Sequence, residues 1–344
     1  MFKTKIYIFF IFIVGSLTCF PQSQTTFKKI NQATGLSNGR VTSIVKEKDG
    51  FIWIGTKNGL NRYDGLQVKV YNKKNSNLGS NDISDLFIDS KNRLWITTLG
   101  GGVNYYNPLN DTFKIFKNIP NDSNSLLSNH VNTVIEDSKG RIWLGTEKGL
   151  CKFDTSKNQF ISYTDQPTTN QSKNSNSITC IYEDKNGDLW VGTFGNGLFL
   201  FDVAEEKFNQ IIPKETQISD FINAISELNP DKILIGTSGS GLLLVDITTF
   251  KFSNFFKENL SFKQNINIVR SIKKDSRDNL WIGTDGNGVF EIEYPNAKNP
   301  IIHNYLYNSQ LESSLSGNAI YEIMDDNDSN IWIGTAWNGI SILD

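Results

Sequence analysis

One short unit recurs seven times along the chain, at Trp53-Ile54-Gly55-Thr56, Trp95-Ile96-Thr97-Thr98, Trp143-Leu144-Gly145-Thr146, Trp190-Val191-Gly192-Thr193, Leu234-Ile235-Gly236-Thr237, Trp281-Ile282-Gly283-Thr284 and Trp332-Ile333-Gly334-Thr335. The first residues of successive copies lie 42, 48, 47, 44, 47 and 51 positions apart, close to the ~40 to 50 residues of a four-stranded propeller blade. Each copy opens with a β-branched run, such as residues 41–45, 131–135 or 320–324, which reads as an inner strand. Turn chemistry follows at Asp49-Gly50, Lys139-Gly140, Asn186-Gly187, Asp278-Asn279 and Ser329-Asn330, then the Trp-containing strand. A second turn, Asn58-Gly59 in the first copy and Asn338-Gly339 in the last, leads to a third strand. Outer strands read at 67–71, 112–116, 159–163 and 251–256.

The seventh copy stops at Asp344 without an outer strand, whereas residues 25–30 look like an outer strand with no blade before them. Pairing the two closes a ring and leaves no long open edge. The expected fold is therefore all-β: a seven-bladed β-propeller of four-stranded antiparallel blades over residues 25–344, its last blade completed by the strand at 25–30. Packed blades need filling on both faces of a middle strand, which suits Trp, while Gly two places later admits a close neighbour. The third inner-strand position is small in five copies (Ser43, Thr133, Cys180, Ala224, Ser271) and acidic in two, Asp85 and Glu322. Those two carboxylates are expected to face the central channel and to find backbone or water partners there.

Residues 1–24 read as a signal peptide, with Lys3 and Lys5, an apolar core at 6–14 and a small or polar exit. The apolar run is too short to cross a bilayer. A periplasmic location follows, and Ser16 and Thr18 depart from a lipobox ahead of Cys19, so lipid anchoring is not expected. The net charge of 34 − 36 = −2 becomes 32 − 36 = −4 once Lys3 and Lys5 leave with the leader. Such a mildly acidic surface argues against nucleic acid or anionic lipid as the partner. Two His and three Cys leave little for a zinc site or a disulfide framework, and no metal or cofactor is expected. Cys151 and Cys180 would remain as the mature thiols.

An inner strand, an Asp-x-x-Gly-like turn, Trp-Ile-Gly-Thr, two to four residues and Gly-Leu together resemble the two-component regulator propeller repeat. The resemblance covers nearly all of residues 25–344. It implies the periplasmic sensor half of a hybrid two-component system in a glycan-using bacterium. Members of that family commonly add a second propeller, an immunoglobulin-like domain, a membrane helix, and kinase, receiver and DNA-binding modules. This chain has one propeller, and neither His130 nor His303 sits in a kinase phosphoacceptor context, so it is expected to lack signalling output.

Function then falls to positions where the copies differ. In this architecture the turns after the Trp strands and the connections into the inner strands share one rim around the channel. Arg40, Lys57, Asp82, His130, Glu147, Phe194, Arg270, Asp285 and Trp337 are placed there as ligand-binding candidates. Trp337 occupies a turn filled in other copies by Lys57-Asn58 or Glu147-Lys148; an indole there either stacks on a sugar face, anchors a protein or folds onto the next blade. Arg40, Lys57 and Arg270 suit carboxylate or sulfate groups. His130 with Asp82 or Asp285 is the one catalytic pair that can be nominated, but no triad or nucleophile-elbow string accompanies it. The acidic runs at 325–330 and 184–188 are too short for calcium loops and read as hairpin turns, as does Gly100-Gly101-Gly102. The preferred reading is an exported sensory propeller for an oligosaccharide or another small ligand, partnered by a second propeller or sensor subunit and not an enzyme. An interaction scaffold and a channel-mouth lyase or hydrolase are the alternatives.

Overall fold

The computed structural model describes residues 26–164, 176–211, 221–258 and 266–344. The leader at 1–24 and most of the Asn-rich stretch at 170–176 lie outside the described residues. Seven four-stranded antiparallel sheets make up the fold. In the first blade the order from channel to periphery is Val41–Lys46, Ile52–Thr56, Gly59–Tyr63, Val68–Tyr71. Five blades repeat that order, and the seventh is composite: Phe27–Ile30 lies outside Ile340–Leu343, which pairs with Ile331–Thr335 and then Ile320–Asp325. The closing strand runs antiparallel to the last, Phe27 opposite Leu343 and Ile30 opposite Ile340. The seven-bladed ring closed by its own first strand is the architecture expected from the repeats.

Six of the seven blades are organised around a buried Trp and an acid six residues earlier in the inner turn. The indole Nε1 of Trp95 donates to Asp89 at 2.8 Å, Trp143 to Asp137 at 2.7 Å, Trp190 to Asp184 at 3.0 Å, Trp281 to Asp275 at 2.9 Å and Trp332 to Asp326 at 3.1 Å. In the first blade Glu47 takes the same part for Trp53, at 3.0 Å. The other oxygen of each aspartate accepts backbone N–H groups of its own turn, as Asp137 does from Lys139 and Arg141. One carboxylate thus closes the turn and satisfies the indole, which a buried N–H requires. The fifth blade confirms the pairing by its exception. There Leu234 replaces the Trp, and the position six before it is Leu228; both are buried and no charge is left stranded.

Threonine closes the other end of the strand. Its hydroxyl donates to the carbonyl of the turn glycine in all seven blades, from Thr56 to Gly59 (2.9 Å) through Thr335 to Gly339 (2.9 Å). The glycine between Trp and Thr marks where the next blade docks. A Cβ on Gly145 would lie 2.6 Å from Ile178 Cγ2, and one on Gly334 2.7 Å from Val41 Cγ1, at the first residue of the adjoining inner strand.

The turn reading of 184–188 and 325–330 holds, because Asp184 and Asp326 are engaged by turn amides and by Trp190 and Trp332. The outer strand expected at 251–256 is shorter, Phe252–Asn254, and gives way to a helical turn at Phe255–Glu258. A strand would face one of two consecutive aromatics outward, whereas the turn buries both Phe255 and Phe256 against Phe290 of the next blade. Cys151 and Cys180 are free thiols, and burial raises them to about 11 and about 12.

Replacing Trp143 by Phe keeps an apolar ring but removes a donor from a buried carboxylate. Urea unfolding is expected to register a loss of ~1–3 kcal/mol; a loss below ~0.5 kcal/mol would mean that the indole bond contributes little.

Candidate functional site

The rim is built by backbone before any side chain reaches it. In every blade the residue after the Trp-strand threonine donates its N–H to the carbonyl of the residue preceding the inner strand, as Lys57 does to Arg40 (3.3 Å), Glu147 to His130 (3.1 Å) and Ala336 to Ala319 (2.9 Å). Bridges Leu99–His130, Phe194–Phe221, Ser238–Ile268 and Asp285–Ala319 then join neighbouring blades. Arg40, Lys57, Asp82, His130, Glu147, Phe194, Asp285 and Trp337 therefore do lie on one rim. Arg270 sits one step inside it, as the second residue of its inner strand.

Most charged candidates are already paired. Lys57 Nζ is 2.8 Å from Asp82, and Arg270 donates from Nε (3.1 Å) and Nη2 (2.8 Å) to one oxygen of Asp285. His130 Nδ1 lies 3.3 Å from Glu147, whose other oxygen accepts from Ser128 at 2.7 Å. This corrects the nominated catalytic pair: the acid beside His130 is Glu147, not Asp82 or Asp285. The cause is local, since the backbone bond from Glu147 to His130 holds the two in register within one blade. It also narrows the anion-binding candidates, because Lys57 and Arg270 carry carboxylate partners whereas Arg40 packs on Tyr321, its guanidinium 4.9 Å from the ring centroid.

Aromatic groups supply the exposed apolar surface. Trp337 is 71% exposed, so the indole projects from its turn instead of folding onto the next blade. Phe194 (51% exposed) meets Phe221 (39%) edge to face at 4.8 Å across the fourth and fifth blades. Sequence reasoning missed Phe221 and Tyr321. Tyr321 was findable: the second inner-strand residue is small and polar as Thr42, Ser84, Asn132, Thr179 and Asn223, then large as Arg270 and Tyr321.

Below the rim, Asp85 and Glu322 each stand third in their inner strand, and Asp85 finds the backbone partners expected of it. Asp85 accepts from Ser43 Oγ (3.0 Å) and Leu86 N (2.8 Å) on one oxygen and from Thr133 Oγ1 (3.0 Å) and Val134 N (3.2 Å) on the other. Burial raises its pKa in spite of these bonds. Glu322 is pushed well above the usual carboxylate range by burial first and by the Asp85 charge second, with Lys273 opposing. The folded chain therefore holds a proton on Glu322 at pH values where the unfolded chain has lost it. Stability from this group is present below the ordinary carboxylate pKa and is lost as pH rises to the raised one. Glu322→Gln is expected to melt higher than the native chain at about pH 8, the gap closing toward about pH 4; an equal or lower melting temperature at the higher pH would contradict this.

Fold and rim define a class, the repeat-built propeller with a channel-mouth surface that differs from blade to blade. Six segments, 35–58, 77–100, 125–148, 172–195, 263–286 and 314–337, match the two component regulator propeller family, so six of the seven blades are repeats of that family. The unmatched blade is the fifth, where Leu234 stands for Trp. A stretch of 64 residues is 39% identical to "Histidine kinase P4" of Formosa agariphila, covering 19% of this chain and 5% of that protein. The extracellular domain of the hybrid two-component system BT3049 of B. thetaiotaomicron superposes with a TM-score of 0.80 at 25% identity, over 93% of this chain and 42% of that one. Virginiamycin B lyase of Staphylococcus aureus shares the fold, with a TM-score of 0.68 at 16% identity over 93% of this chain and 99% of the lyase. The chain is homologous to extracellular sensor propellers of hybrid two-component systems and spans less than half of the domain it resembles. No helix among the described residues is long and apolar enough to cross a membrane.

Proposed function

We propose that this chain is the exported, periplasmic sensory propeller of a hybrid two-component system and that it binds an oligosaccharide at the rim described above. The exposed indole of Trp337 is the observation that carries the reading. A large aromatic held out at a channel mouth costs apolar exposure and suits the flat apolar face of a sugar ring. Homology to extracellular sensor propellers supports the export and sensing parts. Polar groups elsewhere on the same rim, among them Lys57, Asp82, His130, Arg270 and Asp285, supply hydrogen bonds for hydroxyl groups. Binding without turnover fits a rim whose one histidine pairs with Glu147 and faces no nucleophile string. The proposed protein partner is a second propeller or sensor subunit, in keeping with the greater length of the BT3049 domain.

Calorimetry with a panel of oligosaccharides tests this, with light scattering on the same samples to read association. At least one saccharide is expected to bind, and Trp337→Ala to weaken it ~10-fold or more with the melting temperature unchanged. Silence across the panel, or binding indifferent to Trp337→Ala, would overturn the assignment of this rim.

A further inference from the structure

A repeated clamp joins the inner strands around the channel. Each inner strand bulges at its second residue. In four consecutive blades the side chain there hydrogen-bonds to the first carbonyl of the next inner strand: Ser84 to Val131 (2.5 Å), Asn132 to Ile178 (2.7 Å), Thr179 to Ile222 (2.6 Å) and Asn223 to Val269 (2.8 Å). The other three blades, sixth, seventh and first, are those that meet at the ring closure, and they place Arg270, Tyr321 and Thr42 at the bulge. Arg270 is turned to Asp285, and the Thr42 hydroxyl is buried without a partner. A repeat that gives up a blade-to-blade hydrogen bond three times in succession has exchanged packing for something else.

What stands in its place is a cationic and aromatic group. The guanidinium groups of Arg40 and Arg270 lie 4.9 and 5.4 Å from the centroid of the Tyr321 ring. Asp285 bonds Arg270, but Arg40 faces no carboxylate among the described residues and its Nε is buried with no acceptor. Two guanidinium groups on one ring repel each other and a carboxylate neutralises only that of Arg270, so the unpaired charge of Arg40 is suited to an anion. The Trp337 turn adjoins it directly: Gly339 N–H donates to Gly39 O at 2.8 Å, and a Cβ on Gly39 would lie 1.9 Å from the Trp337 carbonyl oxygen.

We infer that Arg40, Tyr321 and Arg270 form an anion-selecting subsite beside Trp337, so that the ligand is a saccharide bearing carboxylate or sulfate groups. The inference rests on the oligosaccharide-sensor reading and narrows its substrate class. The indole takes a sugar face, and the guanidinium of Arg40 takes the charged substituent in a paired hydrogen bond. Arg270, held by Asp285, contributes field more than contact.

Calorimetry on the whole chain with three ligand sets decides the matter: neutral oligosaccharides, oligouronates and sulfated oligosaccharides. One acidic set is expected to bind ~10-fold or more tightly than the neutral set, with affinity falling as salt rises from about 0.05 to 0.5 M. Which acidic set binds separates carboxylate from sulfate recognition. Arg40→Gln is expected to remove that preference and Arg40→Lys to restore part of it. Neutral saccharides binding as tightly as acidic ones, or an acidic preference untouched by Arg40→Gln, would overturn the subsite and leave the sensor reading standing. No binding in any set would overturn both. Should Arg40→Gln fail to fold, the salt titration of the native chain stands alone, and acidic-ligand affinity constant across that range overturns the subsite.

Discussion

Closing a ring of seven sheets requires the first and last strands of the chain to find each other, and the position of every rim residue follows from that meeting. The four residues Phe27–Ile30 do it by pairing with Ile340–Leu343, and Lys28 adds an ion pair to Asp344 at 2.5 Å. Side chains reinforce the backbone ladder. Phe27 is buried with Trp281 and Ile331 and meets Tyr305 edge to face at 5.7 Å, so the first strand is anchored in the sixth blade as well as the seventh. Ile30 packs with Ile340 and Trp332 on the other side. Gly339 has to be glycine here: its φ of 80° is left-handed, and a Cβ would meet Ile30 O at 2.2 Å.

Within the closed ring, three repeated devices keep the blades alike: indole on acid, threonine on turn carbonyl, and glycine under the next blade's β-branched residue. Each is satisfied internally and leaves nothing for a ligand. Departures from them are therefore informative. The fifth blade loses Trp and acid together, which is a structural substitution that keeps the core dry. At the closure the polar clamp is lost without an apolar replacement, and Arg40, Tyr321 and Arg270 appear beside the exposed Trp337. Repetition explains stability, and the break in repetition marks where the surface departs from the shared plan.

The ring, its blade count and its composite last blade were legible because period, turn glycines and the unmatched strand near residue 27 are all local in sequence. The rim was legible as a set of positions for the same reason. What the sequence hid were relations across blades and between turns. Asp137 opens the turn that contains Lys139 and Gly140 and is also the acceptor for Trp143, six residues away. His130 looked free to choose among acids until the backbone bond from Glu147 fixed its neighbour. Tyr321 read as one more inner-strand residue, because its contacts, Arg40 and Arg270, come from the blades on either side. Residues 251–256 read as an outer strand by their place in the repeat, and the need to bury two successive phenylalanines prevailed.

Amide hydrogen exchange on the closing strands tests the central claim most directly. If the ring is latched by its first strand, the amides of Phe27–Ile30 and Ile340–Leu343 exchange as slowly as those of the Trp strands, and only with global unfolding. Exchange of the first strand in seconds while the Trp strands remain protected would mean an open ring, and the rim geometry built on closure would go with it.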